Sequence, residues 1–234
     1  MAGANITNDY MSESKEVNVL GFTIPVLNIG MLELPSDKFG VSILLCGSTR
    51  SGKTTFVNYL YKKHFSKYIS LLMSNSLQSD AYKMLKKECL TSDFYHPEIL
   101  KELYKINHET NNHYKFLAII DDIPDKREDP EIKRLLTIYR NSRISCIICG
   151  QGLTMMNKLA RSNINLVFLG RMNSSQEVER NVKEYLTGYF PAKMNMAEKI
   201  LLYKKLTEDY RWIVVDNFNG QIFLTKLRPE QIVE

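Results

Sequence analysis

The sequence has no apolar run approaching the roughly 18 residues that a membrane-spanning helix requires. Its polar opening, MAGANITNDYMSESKEVN, lacks the apolar stretch of a secretory leader. Neither a membrane span nor secretion is expected. Cysteine is scarce, limited to Cys46, Cys89, Cys146 and Cys149. Cys146 and Cys149 form a C-x-x-C, but they sit in SCIICG, an extended run in which residues three apart point to opposite faces, and no second C-x-x-C or nearby His pair completes a tetrahedral site. A metal or redox centre is therefore not expected, and the four are read as reduced thiols of an intracellular protein. A strong charge of one sign is also missing. The 31 basic and 26 acidic residues leave +5, which permits contact with a polyanion without requiring it. No internal repeat, low-complexity segment, zinc finger or helix-turn-helix pattern is found, so base-specific DNA reading is not expected.

What is present suffices for a folded domain: 234 residues, 44% hydrophobic and 24% charged, can build one large core. The stretch that organises it is VSILLCGSTRSGKTTF, where Gly47, Gly52, Lys53 and Thr54 follow the spacing G-x-x-x-x-G-K-[ST] between an apolar run and a helix-compatible segment. Glycines let the backbone curl until successive N–H groups face one phosphate, and the following helix turns its positive end to the same anion. The loop Gly47, Ser48, Thr49, Arg50, Ser51, Gly52, Lys53, Thr54 and Thr55 is thus expected to bind ATP. Lys53 would meet the β and γ phosphates, and the Thr54 hydroxyl would ligate Mg2+.

In chain order, residues 1–16 are polar and expected to be flexible, and 17–234 form a single domain with a core over about 40–187 and an extension over about 188–234. VNVLGFTIPVLNIGMLEL reads as a hairpin or strand pair flanking the main sheet. FGVSILLCG, SKYISLLMSN, KFLAIIDD, RISCIICGQ and INLVFLGR read as strands. A helix is expected over about 53–65, two more between Ser76 and Asn112 with a break before Pro97, and another opened by Pro130. Beyond Asn173 come two helical segments and then two strands joined at Asn219-Gly220. Alternating strands and helices imply an α/β fold with a mostly parallel, helix-covered sheet, a ligand at the carboxyl ends of the strands, and a C-terminal helical plus β-hairpin extension. Trp212 reads as core or interface packing, and His108 and His113 as exposed.

FLAIIDD delivers Asp121 and Asp122 to the edge where the phosphate loop sits. One carboxylate, assigned as Asp121, would hold magnesium, and Asp122 would orient and deprotonate an attacking water. Gln151 closes a strand in CIICGQG, where an amide that both donates and accepts can sense the γ-phosphate or the water.

The order GSTRSGKTT, LAIIDD, IYRNSRISCIICGQ and LARSNINLVFLGR resembles the genome-packaging ATPases of poxviruses, other large DNA viruses and virophages, within the FtsK and HerA superfamily. The similarity covers roughly residues 40–187. It departs in having Asp121-Asp122 where the superfamily often has Asp-Glu. The resemblance implies a RecA-like P-loop ATPase core, a homo-oligomeric ring with nucleotide between subunits, double-stranded DNA bound without sequence preference, capsid or portal-vertex partners, and a place in the virion or the cytoplasmic virus factory. A ring ATPase needs a cation on its neighbour's γ-phosphate, for which Arg140, Arg143 and Arg161 are candidates. Lys83, Lys86, Lys87, Lys101 and Lys105, on the helical insertion, are candidates for phosphate contact with DNA. Two other readings compete. One is a P-loop kinase for a nucleotide or other small substrate, with Arg171 and Arg180 as lid residues. The other is a nucleotide-dependent assembly switch.

Overall fold

The continuous apolar runs SILLC, FLAII and SCIIC are what a strand covered on both faces needs, and each is buried along its length. The computed structural model describes residues 15–34, 38–121, 129–153, 156, 158–228 and 231. Among them the strands are β1 (Lys15–Val19), β2 (Phe22–Val26), β3 (Ser42–Cys46), β4 (Ile69–Ser74), β5 (Leu90–Ser92), β6 (Phe116–Asp121), β7 (Ile144–Gly150), β8 (Leu166–Leu169), β9 (Trp212–Asp216) and β10 (Gln221–Thr225). They form one sheet in the order β1-β2-β10-β9-β8-β3-β7-β6-β4-β5. From β8 to β5 every pairing is parallel, so the ends of β3, β4, β6, β7 and β8 share one edge. The helices are α1 (Lys53–Leu60), α2 (Lys83–Glu88), α3 (Pro97–Glu109), α4 (Pro130–Thr137), α5 (Lys158–Arg161), α6 (Ser175–Asn181) and α7 (Met196–Leu206).

Successive strand residues feed two cores. Leu44, Ala118, Cys146 and Ile148 pack with Leu100 of α3, Leu135 of α4, Val178 of α6 and Leu202 of α7. Ile43, Leu117, Ile147 and Cys149 pack with Phe56 and Leu60 of α1 and Leu85 of α2 on the other face. Cys146 and Cys149 therefore lie on opposite faces, too far apart in direction to share a metal. Burial pushes the Cys46 and Cys146 thiols up to about 12 and the Cys89 thiol to about 11, so all three stay protonated at neutral pH.

Local chemistry sets the helix ends. Asp129 accepts from the Glu131 and Ile132 amides ahead of Pro130, and Asn195 with Glu198 forms a capping box for α7. The helix expected over 53–65 is α1 continued by a π-helical turn, Tyr61–Phe65. No helix among the described residues is long and apolar enough to cross a membrane.

The tertiary structure departs from the sequence reading in two places and extends it in a third. The break before Pro97 contains a short edge strand, β5, paired with β4. The flanking hairpin begins at Lys15, so Lys15 and Glu16 of the segment expected to be flexible are paired with Val26 and Pro25; residues 1–14 lie outside the described residues. The C-terminal hairpin is a continuation of the main sheet: β9 pairs antiparallel with β8 from Leu166↔Asp216 to Leu169↔Ile213. Trp212 to Asp216 are buried throughout because they fill the flank of the strand next to the phosphate loop.

Candidate nucleotide site

The loop expected to hold phosphate leaves β3 at Cys46 and enters α1 at Lys53. Its curl uses left-handed backbone at Arg50 (φ 64°) and Gly52 (φ 94°), and the Ser51 amide donates to the Ser48 carbonyl at 3.1 Å. A side chain at Gly47 would force its neighbours to shift: a Cβ there would sit 2.5 Å from Ser51 Oγ and 3.2 Å from the Trp212 ring. The loop is fastened to two neighbouring strand ends. The Gly47 amide donates to the Gly150 carbonyl at 3.0 Å and the Ser48 amide to the Arg171 carbonyl at 2.9 Å, while Ser48 Oγ accepts from the Asn173 amide at 2.8 Å. Trp212 props it from behind, and at Gly170 a Cβ would lie 2.7 Å from the same indole.

Three observations fit an anion in this loop. No side chain caps α1, so its first amides are open to a ligand. Ser51 Oγ is buried without a hydrogen-bond partner. The Lys53 ammonium is folded over the loop, donating to the Gly47 carbonyl at 2.8 Å and the Ser48 carbonyl at 3.1 Å. Thr49 and Arg50 are exposed at the tip, and Thr54 and Thr55 are half-buried in the first turn of α1.

β7 lies between β3 and β6, so Asp121 at the end of β6 is two strand spacings, about 10 Å, across the sheet from the loop strand. It is 5% exposed and accepts a hydrogen bond from the Tyr82 hydroxyl. Burial, and then the Asp121 charge, raise the Tyr82 phenol well above its ordinary value, so it remains a donor. Asp122 lies outside the described residues. Gln151 directly follows Gly150, whose carbonyl holds the Gly47 amide, and is exposed beside the loop. An oxygen donor set of hydroxyl and carboxylate, Thr54 and Asp121, suits the hard cation Mg2+.

The three arginines are placed differently. Arg140 and Arg143 flank the start of β7, where the Arg140 carbonyl takes the Gly40 amide at 2.7 Å and the Arg143 carbonyl takes the Phe116 amide at 3.2 Å. The length of β7, about 20 Å, separates them from their own phosphate loop. Arg143 Nη1 donates to the Asn112 carbonyl at 3.2 Å. Arg161 pairs with Glu184 at 3.3 Å and donates to the Leu153 carbonyl at 3.0 Å and the Met156 carbonyl at 2.5 Å, so it is engaged within its own chain. The insertion lysines divide as well. α2 packs on the α1 face and α3 on the other, which puts Lys83, Lys86 and Lys87 apart from Lys101 and Lys105; Lys101 pairs with Glu98 at 3.0 Å.

Sequence reasoning missed Tyr82, which looks like one more apolar residue at helical spacing. It also missed the Arg171 to Asn173 backbone, whose role depends on β8 lying beside β3. Neither leaves a local signal.

The family described as Poxvirus A32 protein matches residues 32–218. No curated protein matches the chain. Among solved structures, it resembles the genome packaging NTPase B204 from Sulfolobus turreted icosahedral virus 2 in complex with ATP-gammaS, at 16% identity and TM-score 0.55, over 80% of this chain and 97% of that one. The DNA-packaging ATPase B204 from Sulfolobus Turreted Icosahedral Virus gives 16% identity and TM-score 0.58 over 83% and 100%. The pCW3 conjugation coupling protein TcpA gives 13% identity and TM-score 0.57 over 96% and 70%. At these identities the likeness establishes the fold, that of RecA-like P-loop ATPases.

Proposed function

Because the chain belongs to the poxvirus A32 protein family, we propose that it is an ATP-hydrolysing motor that moves double-stranded DNA into a preformed viral capsid. The observation that carries this reading is the convergence at one sheet edge of the loop ending in Lys53, the buried Asp121 and the rim residue Gln151. The open amides of α1 and the Lys53 ammonium bind the phosphates, and the loop's ties to β7 and β8 hold those amides in place without rearrangement during turnover. Thr54 and Asp121 hold magnesium, which, when bound, neutralises charge on the phosphates. Asp122 takes the proton of the attacking water, and the Gln151 amide orients that water.

Arg140 and Arg143, being at the far edge of their own subunit, supply the cation only in trans, in a ring where one subunit's β7 start faces the next subunit's loop. DNA is held through its phosphates by exposed lysines, so binding does not depend on base sequence. Capsid or portal-vertex proteins are the partners, and the virion or the cytoplasmic virus factory is the setting.

The test is ATP turnover with and without double-stranded DNA, together with mass in solution. Stimulation by DNA of any sequence, declining steeply with salt, and an assembled mass are expected. Absence of stimulation at low salt in assembled protein removes the motor reading. Stoichiometric phosphorylation of a small acceptor replaces it with a kinase.

A further inference from the structure

We propose that Tyr82 is a positioning residue for Asp121 and that it links the lysine-bearing face of α2 to the metal-holding carboxylate. This rests on the motor reading above for the role of Asp121 and for DNA as the ligand of α2. Tyr82 is 3% exposed, and its hydroxyl donates to Asp121 Oδ2. Ser74 Oγ, on the strand residue paired with Asp121, donates to the same hydroxyl at 3.4 Å. A carboxylate free to rotate would sample several orientations; one held by a buried phenol is fixed in one.

The segment that carries Tyr82 is also bound to the phosphate-loop helix. Asn58 of α1, itself buried, donates from Nδ2 to the Ala81 carbonyl at 3.0 Å. The turn Asp80–Tyr82 thus holds both parts of the nucleotide site, α1 on one side and the end of β6 on the other. It runs without a break into α2, whose Leu85 is fully buried while Lys83, Lys86 and Lys87 are exposed and carry no ion pair among the described residues. Three unpaired cations on one short helix attract a polyanion. Because Leu85 and Tyr82 anchor that helix to the core, a load on the lysines is transmitted to Asp121 through one residue and one hydrogen bond.

The experiment uses the full chain, with Mn2+ as the metal probe, AMP-PNP as the nucleotide and a random-sequence DNA duplex. Mn2+ binding is followed by loss of the free-ion EPR signal, so the readout is independent of turnover. Tyr82→Phe removes only the hydroxyl and is expected to weaken Mn2+ binding in the AMP-PNP complex by about 10- to 100-fold, the usual cost of losing a partner that orients a metal ligand. AMP-PNP binding without metal reports any general damage to the pocket. Duplex DNA is expected to shift Mn2+ affinity in the wild type and not in Tyr82→Phe, and the Lys83→Ala/Lys86→Ala/Lys87→Ala variant is expected to lose that shift too. Wild-type Mn2+ affinity in folded Tyr82→Phe overturns the positioning role. A shift that survives in either variant overturns the link. If DNA has no effect on the wild type while Tyr82→Phe still weakens Mn2+ binding, the link fails and the positioning role stands; the motor reading is decided separately, by DNA stimulation of ATP turnover in the same wild-type protein.

Discussion

Replacing Lys53 with alanine tests the site most directly. In the free protein this side chain, 9% exposed, spans the loop and donates to the Gly47 and Ser48 carbonyls. In the role proposed for Lys53, those donors turn to the β and γ phosphates when ATP binds, so the ammonium would exchange neutral acceptors for charged ones. A charge-assisted hydrogen bond contributes roughly 1.5–3 kcal/mol, and one to two of them, partly offset by the loop bonds given up, amount to about 2–4 kcal/mol. At 25 °C that is a fall in ATP affinity of about 30- to 700-fold. AMP has neither the β nor the γ phosphate, so its affinity should change by no more than about threefold on the same reasoning. Isothermal titration with both nucleotides measures the two effects in one protein, and the unfolding midpoint checks the fold. An ATP affinity within about fivefold of wild type in a protein that unfolds normally refutes the assignment. The anion would then be held by amides alone, or elsewhere.

Three other outcomes are expected. Asp122→Asn should retain nucleotide binding and slow turnover by about 10²- to 10⁴-fold; if Asp121→Asn does this and Asp122→Asn does not, the metal ligand and the base are exchanged. Mixing Lys53→Ala subunits with Arg140→Ala or Arg143→Ala subunits should restore part of the turnover, since a mixed interface in one of its two orientations pairs an intact loop with an intact arginine; absence of rescue for either, and for Arg161→Ala, removes all three as trans-acting cations. His64, whose Nε2 is buried without a partner, is held down to about 4, from 6.5, by burial and then by the Lys63 charge. Its folded value is the lower one, so the unfolded chain binds the proton first, and stability present above pH 6.5 is lost as pH falls toward about 4. The unfolding midpoint should drop across that window, and His64→Leu should flatten the drop; equal slopes in the two proteins would show that another group controls it.

The amino-acid sequence by itself determined the phosphate loop, because its chemistry is local: the turn needs glycine at Gly47 and Gly52, and Lys53 and Thr54 follow on the first turn of the same helix. It also determined the strands, since a run buried on both faces must be apolar throughout, and RISCIICGQ was legible as the strand β7, which ends at Gly150 just before Gln151. Asp121 was legible as the polar end of such a run. Only the tertiary structure decided what surrounds these residues. Tyr82 reaches Asp121 across 39 positions, and Trp212 backs Gly47 because β9 closes onto β8. The same packing put α2 and α3 on opposite faces and set Arg140 and Arg143 a full strand length from their own loop. Such contacts join residues far apart in the chain, and neither partner's immediate neighbours carry a trace of the other. Helical spacing assigns Tyr82 to a core as well as to a carboxylate. The difference is fixed when β4, β6 and the insertion close around a buried charge, which must find a donor.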